Sequence, residues 1–147
     1  MNLLDINANH WMHLQGDENF DYPIDYWAAV TSVRDDGHID LLFRWEPNCY
    51  CHFHRHLVDT TSLVIQGELH VVDMDNGVEV GRRVRTVNDY AQKPAGDVHM
   101  EFSGSNGAFV LYNFYAPEGK LFDLLDKDEN IILTVTADDI ISRKISS

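Results

Sequence analysis

Short runs of β-branched and aromatic residues recur along the chain, broken every few positions by Gly, Pro, Asn or Asp, and long helical periodicity is nearly absent. This pattern predicts an all-β sandwich or barrel rather than α/β units. Residues 39–45 read as a strand stopped by Glu46-Pro47-Asn48, where Asn48 can take the left-handed conformation usually given to Gly. A second strand covers His52 to His56, and a third runs from about Ser62 to Val72 with Gly67 marking a bend or bulge. Asp75-Asn76-Gly77 predicts a type I′ hairpin, returning from Val78. Pro94-Ala95-Gly96 suits a tight turn with Pro at the second position and Gly at the fourth. Strands follow over 98–104 and 108–115, then weaker ones over 120–125 and 131–135 around an acidic turn. Residues 136–141 read as a short C-terminal helix with a hydroxyl cap and carboxylates in its first turn. The opening stretch, with His10, Trp11, His13 and the aromatic segment 20–27, shows no dominant period.

A chain of 147 residues is most simply one domain, 1–147, long enough to bury a core without disulfides. The net charge of -13 would repel phosphate backbones and anionic lipid, so nucleic acid and membrane surfaces are poor partners. Arg82, Arg83 and Arg85 read as a charged strand edge that discourages sheet-to-sheet pairing. The first residues, Met1 to Asp5, lack a basic start followed by an apolar run, and no stretch approaches a membrane span, so a cytoplasmic protein is expected. Cys49 and Cys51 are one residue apart, which suits reduced thiols, and strand alternation puts them on the face opposite the histidines.

Candidate chemistry lies in His52-Phe53-His54-Arg55-His56. A strand sends every second side chain to one face, so this tract aims imidazoles at a common point that His99, after Pro94-Ala95-Gly96-Asp97-Val98, could complete. Imidazoles suit Fe, Ni, Cu and Zn, so the arrangement points to a transition-metal site.

These pieces resemble the two motifs of the cupin superfamily, the RmlC-like jelly rolls. The first is His54-Arg55-His56 followed by Gly67 at the family's spacing, and the second is Pro94-x-Gly96-x-x-His99. The resemblance covers roughly 38–115, with N- and C-terminal extensions expected to pack on that core. It implies a jelly-roll barrel and His54, His56 and His99 as metal ligands, with His52 as a possible substitute in another register. The family's usual Glu ligand falls here on Thr60-Thr61, and Asp59 could replace it only through a one-residue shift that turns its side chain away. A three-histidine site is the expectation. The late Asn of the second motif is Ser103.

Within the superfamily the chain is most similar to the small dioxygenases that cleave acetylacetone or dihydroxyacetophenone, on Arg44-x-x-Pro47, the acid-free first motif and the tail from Phe122-Asp123 to Asp138-Asp139. That likeness implies Fe(II), with Zn or Ni able to occupy the same ligands. It also implies an O₂-dependent C–C cleavage of a small β-diketone or hydroxyketone-like substrate, enolisable or anionic. Cupins commonly pair through their sheets, which implies a homodimer. A binding or sensing module, or a metal-dependent isomerase or lyase that never uses O₂, are the alternatives.

Glu101 shares the face of His99 and could be a fourth ligand, an orienting partner or a base. Arg44 could reach inward to fix a substrate oxyanion or lie on the surface. Either Tyr112 and Phe114 or Phe109, Leu111 and Asn113 must pack the barrel. His10, His13, His38 and His70 lack partners at ligand spacing. The acidic turn 126–130 fails as a calcium loop, because Ile131 sits where glycine is needed and Ala137 where the bidentate acid belongs.

Overall fold

The computed structural model describes residues 11–18 and 20–142, so His10 and the first residues lie outside the described part. Among the described residues ten strands and one helix follow in order: β1 (Met12–Gln15), β2 (Asp25–Val33), β3 (His38–Trp45), β4 (His54–His56), β5 (Thr60–Asp75), β6 (Val78–Arg85), β7 (Tyr90–Lys93), β8 (Val98–Tyr115), β9 (Lys120–Leu125), β10 (Ile131–Thr136) and α1 (Ala137–Ile141). Antiparallel pairing runs β1-β2-β3-β8-β4-β9-β10, and β5 pairs with β6, β7 and β8. The sheet curls on itself as a single jelly-roll barrel closed by one short helix.

Strand β8 does most of the closing. The two runs expected over 98–104 and 108–115 are one continuous strand, which pairs with β3, β4 and β5 along its length. It turns at Gly107 (φ 76°), and β5 turns opposite it at Gly67 (φ 79°). A Cβ on Gly67 would stand 2.1 Å from the Gly107 carbonyl oxygen, so this crossing admits no side chain. The register of β5 shifts on both sides of Gly67, which identifies the break as a bulge.

Other local readings hold with small changes of register. Asn76 (φ 50°) and Gly77 (φ 77°) both occupy the left-handed region that a type I′ turn requires. Asn48 takes φ 58°. The turn after β7 differs: the Asp97 amide donates to the Pro94 carbonyl at 3.4 Å and Gly96 has φ 90°, so Gly occupies the third position rather than the fourth. Thr136 caps α1 through a reciprocal capping box with Asp139. In the acidic turn, Asp126 accepts from the backbone amides of Asp128 and Asn130, a local turn and not an ion site.

The barrel interior is filled by Leu41, Phe43 and Trp45 of β3, Val64, Leu69 and Val71 of β5, and Val110, Tyr112 and Phe114 of β8. Tyr112 and Phe114 are therefore the inward set. Phe109 and Leu42 face the other way and pack with Trp11 and Ala29 in a separate outer cluster. Thus the opening stretch, unassigned by periodicity, supplies a strand and an aromatic cover for the outer face of β2 and β3.

Candidate metal centre

His54 and His56 stand on β4, and His99 and Glu101 on β8. The two strands are neighbours with His54 directly opposite His99, so the register itself brings the motifs together. One ligand atom from each of His54, His56, His99 and Glu101 lies within 4.8 Å of all the others, and all four residues are buried. The expected three-histidine site therefore gains a carboxylate, supplied by the second motif instead of the first.

Hydrogen bonds pin each ring. His54 Nδ1 donates to the His52 carbonyl at 2.7 Å. His56 Nδ1 donates at 2.9 Å to the Thr60 hydroxyl, which itself donates to the Val58 carbonyl at 3.0 Å. His99 Nδ1 donates to Asp97 at 2.7 Å. With all three Nδ1 atoms engaged outward, every Nε2 faces the centre. The Nε2 atoms of His56 and His99 are 3.1 Å apart, and Glu101 Oε1 lies 2.9 Å from His99 Nε2 and 3.3 Å from His54 Nε2. Donors roughly 2.1 Å from a shared ion and set at right angles would be about 3.0 Å apart. The donor set thus fits a divalent transition metal with adjacent positions left open.

Charge at the centre follows from burial and contact. Burial pushes the Glu101 carboxyl up, but facing His99 and His54 outweigh it and hold the group well below the usual carboxylate range. Tyr112, raised well above its ordinary value by burial and by Glu101, stays a hydroxyl and donates to Glu101 Oε2 at 2.7 Å. Burial and the neighbouring His99 and His54 keep His56 neutral. Burial opposes the Asp97 carboxylate too, yet His99 and Lys93 bring it down to about 2. An ionised Asp97 is the orienting partner that a ligating imidazole needs.

His52 is not part of the cluster. The backbone is not yet a strand there, so alternation does not carry its ring to the same point; the Tyr26 hydroxyl contacts its Nδ1 at 2.9 Å and Phe20 packs edge-on against it. Burial lowers its pKa to about 4, leaving it neutral. The same loss of alternation corrects the reading of Cys51. This thiol does not lie opposite the histidines but lines the central cavity, 3.7 Å from His54 Nδ1. Both cysteines are free thiols.

Arg44 pairs in register with Trp27 and Phe109, between Phe43 and Trp45, whose side chains fill the barrel. It belongs to the outer face, not the cavity. Arg85, read as part of a charged edge, is the arginine turned inward: it is 9% exposed and lines the wall shared by His56, His99 and Glu101. Arg82 and Arg83 remain at the surface, paired with Glu79 and Asp73. His13, His38 and His70 contact Asp25, Asn113 and Glu68 respectively, away from the centre. Asp59 accepts from the Ala95 amide, which anchors the Pro94 turn.

Two cavities flank the cluster. One, of about 20 Å³, is walled by Tyr26, Phe43, Trp45, Phe114, Phe122 and Leu124. The other, of about 10 Å³, is walled by Thr60, Ser62, Arg85 and Lys93. His56, Glu101 and Tyr112 border both.

A curled antiparallel barrel with an inward His54, His56, His99 and Glu101 cluster has the jelly-roll fold seen in cupins and carries a candidate metal centre. No sequence-family model and no curated protein sequence matches the chain, so the likeness to known proteins is carried by three-dimensional structure. An acetylacetone dioxygenase from Acinetobacter johnsonii superposes with TM-score 0.68 at 13% identity, covering 97% of this chain and 90% of that one. A cupin-like protein from Thermotoga maritima gives 0.61 at 14%, covering 92% and 96%. An oxalate decarboxylase from Bacillus subtilis gives 0.61 at 18%, covering 78% of this chain but 32% of the larger protein. At such identities the likeness speaks to fold alone.

Proposed function

We propose that the protein is a metal-dependent dioxygenase that holds Fe(II) on His54, His56 and His99 and cleaves a C–C bond of a small enolisable β-diketone or hydroxyketone with O₂. The observation that carries this reading is the convergence of three imidazole Nε2 atoms and the Glu101 carboxylate beside a buried apolar cavity. The superposition on an acetylacetone dioxygenase supports it. A bound iron would supply Lewis acidity and a path for electrons between substrate and O₂, chemistry that no side chain here provides.

The side chains carry the remaining work. Glu101 Oε1 faces the centre beside His99, while the Tyr112 hydroxyl holds Oε2 and fixes the carboxylate's orientation. Thr60, Asp97 and the His52 carbonyl keep the imidazole lone pairs aimed at the centre. Tyr26, Phe43, Phe114 and Phe122 exclude water from the reacting carbon. Zinc or nickel would occupy the same donors in protein purified without added iron.

A homodimer fits the outer surface, where exposed Leu63 and Tyr90 stand opposite each other across β5 and β7, with Ile65 and Val84 also exposed. A lyase or isomerase that does not use O₂ is the second reading, favoured by the likeness to oxalate decarboxylase. An oxygen electrode separates the two on iron-reconstituted protein given a panel of diketones and hydroxyketones. Oxygen uptake that follows added substrate is the expected result. Substrate loss without uptake would move the protein to the second reading, and silence across the panel would leave a binding module.

A further inference from the structure

Strand β6 alternates Val78, Val80, Arg82 and Val84 with Glu79, Gly81, Arg83 and Arg85. Its valines are the exposed set, at 62%, 63% and 51%, whereas Arg85 is 9% exposed. Pairing explains the inversion: Arg85 sits opposite Leu69, a core residue of β5, and so points where Leu69 points. The guanidinium thus enters the barrel at the end of an edge strand.

Its partners there are few. Arg85 Nη1 reaches the Ser62 hydroxyl at 3.5 Å, the limit of a hydrogen bond, and no carboxylate oxygen among the described residues lies within 4 Å of its nitrogens. Lys93, the other cation on this wall, is held by Asp73 at 3.1 Å and Asp97 at 3.5 Å. Glu101 spends its oxygens on His99, His54 and Tyr112. An arginine stays charged at any ordinary pH, and a buried charge without a counter-ion is strongly unfavourable. Its planar fork of donors matches a carboxylate. The polar cavity beside it opens onto His56, His99 and Glu101, whose opposite side is the apolar cavity.

We propose that Arg85 is the seat of a carboxylate on the substrate. The compound taken by this site is then a small enolisable keto acid with its anionic end on Arg85, and the side chains around these two small cavities part to admit it. The proposal rests on reading the histidine cluster as a metal-dependent centre for enolisable substrates, and it narrows that substrate class from neutral diketones to carboxylates.

The test is calorimetric titration of the zinc-loaded full chain with acetylacetone and with 2,4-dioxopentanoate, which replaces one methyl group of acetylacetone by a carboxylate. The wild type binds the carboxylate about tenfold or more tightly than the neutral diketone. Arg85→Gln abolishes that preference with zinc stoichiometry unchanged, Arg85→Lys retains part of it, and Arg44→Gln retains all of it. Equal wild-type affinities, failure of both compounds to bind, or an undiminished preference in Arg85→Gln would overturn the proposal. The wild-type comparison and Arg85→Lys decide the matter if Arg85→Gln does not fold. Zinc supports no oxygen chemistry, so a silent oxygen electrode would sink the dioxygenase reading and leave this titration standing. Should the chain hold no metal, the same titration of metal-free protein reads Arg85 alone, and absence of a carboxylate preference there counts against it.

Discussion

The two walls of the barrel interior are built by opposite rules. On the wall formed by β2, β3 and β9, with Phe114 of β8, Tyr26, Phe43, Trp45, Phe114 and Phe122 interlock by area removed from water and by aromatic contact, with Tyr26 adding a hydroxyl contact to His52. On the wall formed by β4, β5, β6 and the first half of β8, polar side chains gather beside Val64, Leu69 and Val71, and those of the cluster depend on named neighbours: His56 on Thr60, His99 on Asp97, Glu101 on Tyr112. The apolar wall should tolerate changes of shape and fail through lost volume. The polar wall should keep its fold and fail through lost partners, since removing one member strands another.

The largest effect should come from removing a donor on the polar wall. His99→Ala is expected to lose stoichiometric metal after dialysis while thermal unfolding stays cooperative, and elemental analysis beside circular dichroism checks both. Unchanged occupancy would remove His99 from the site. Next in size, Phe43→Ala on the apolar wall should cost about 3–5 kcal/mol of stability, because a buried ring leaves a cavity its neighbours cannot close. Denaturant unfolding measures this, and metal stoichiometry should survive at temperatures where the variant is folded. A drop in metal affinity larger than the drop in stability would erase the distinction between the walls.

A smaller effect is expected from Thr60→Val, which keeps the shape but removes the acceptor that holds His56 Nδ1. Metal affinity should fall about 10- to 100-fold, with the fold intact. Competition with a chromogenic chelator reads this directly. An unchanged affinity would mean that the strand, not the hydroxyl, sets the ring's tautomer and aim.

Particular residues show how far reading along the chain reaches. The strands near 39–45 and 120–125, the Asn76-Gly77 hairpin, the Gly67 bulge and the Thr136 cap are local features, each set by a few adjacent residues, and they stand where the pattern put them. Alternation marked the His52–His56 tract and His99, and the likeness to the cupin motifs singled out His54, His56 and His99. Glu101 was marked as well, but its place in the cluster was open until the register of β8 against β4 was known. Thr60 passed as a mere replacement for a missing acid, although its position four residues after His56 was the available signal. Asp97, two residues before His99 on a strand, offered the same kind of signal and was read only as part of a turn.

Alternation along a strand determines which side chains travel together; it does not say which of the two faces is inside. That choice separates Arg44 from Arg85, and it separates His52 and Cys51 from their expected faces, because the chain there is not yet a strand. By itself the sequence determined the strands, the turns and the imidazoles that form a cluster, all consequences of short-range backbone geometry. Tertiary structure alone decided that a carboxylate joins them and that an arginine from an edge strand is buried beside them, since both depend on which distant strand lies alongside and how the sheet closes.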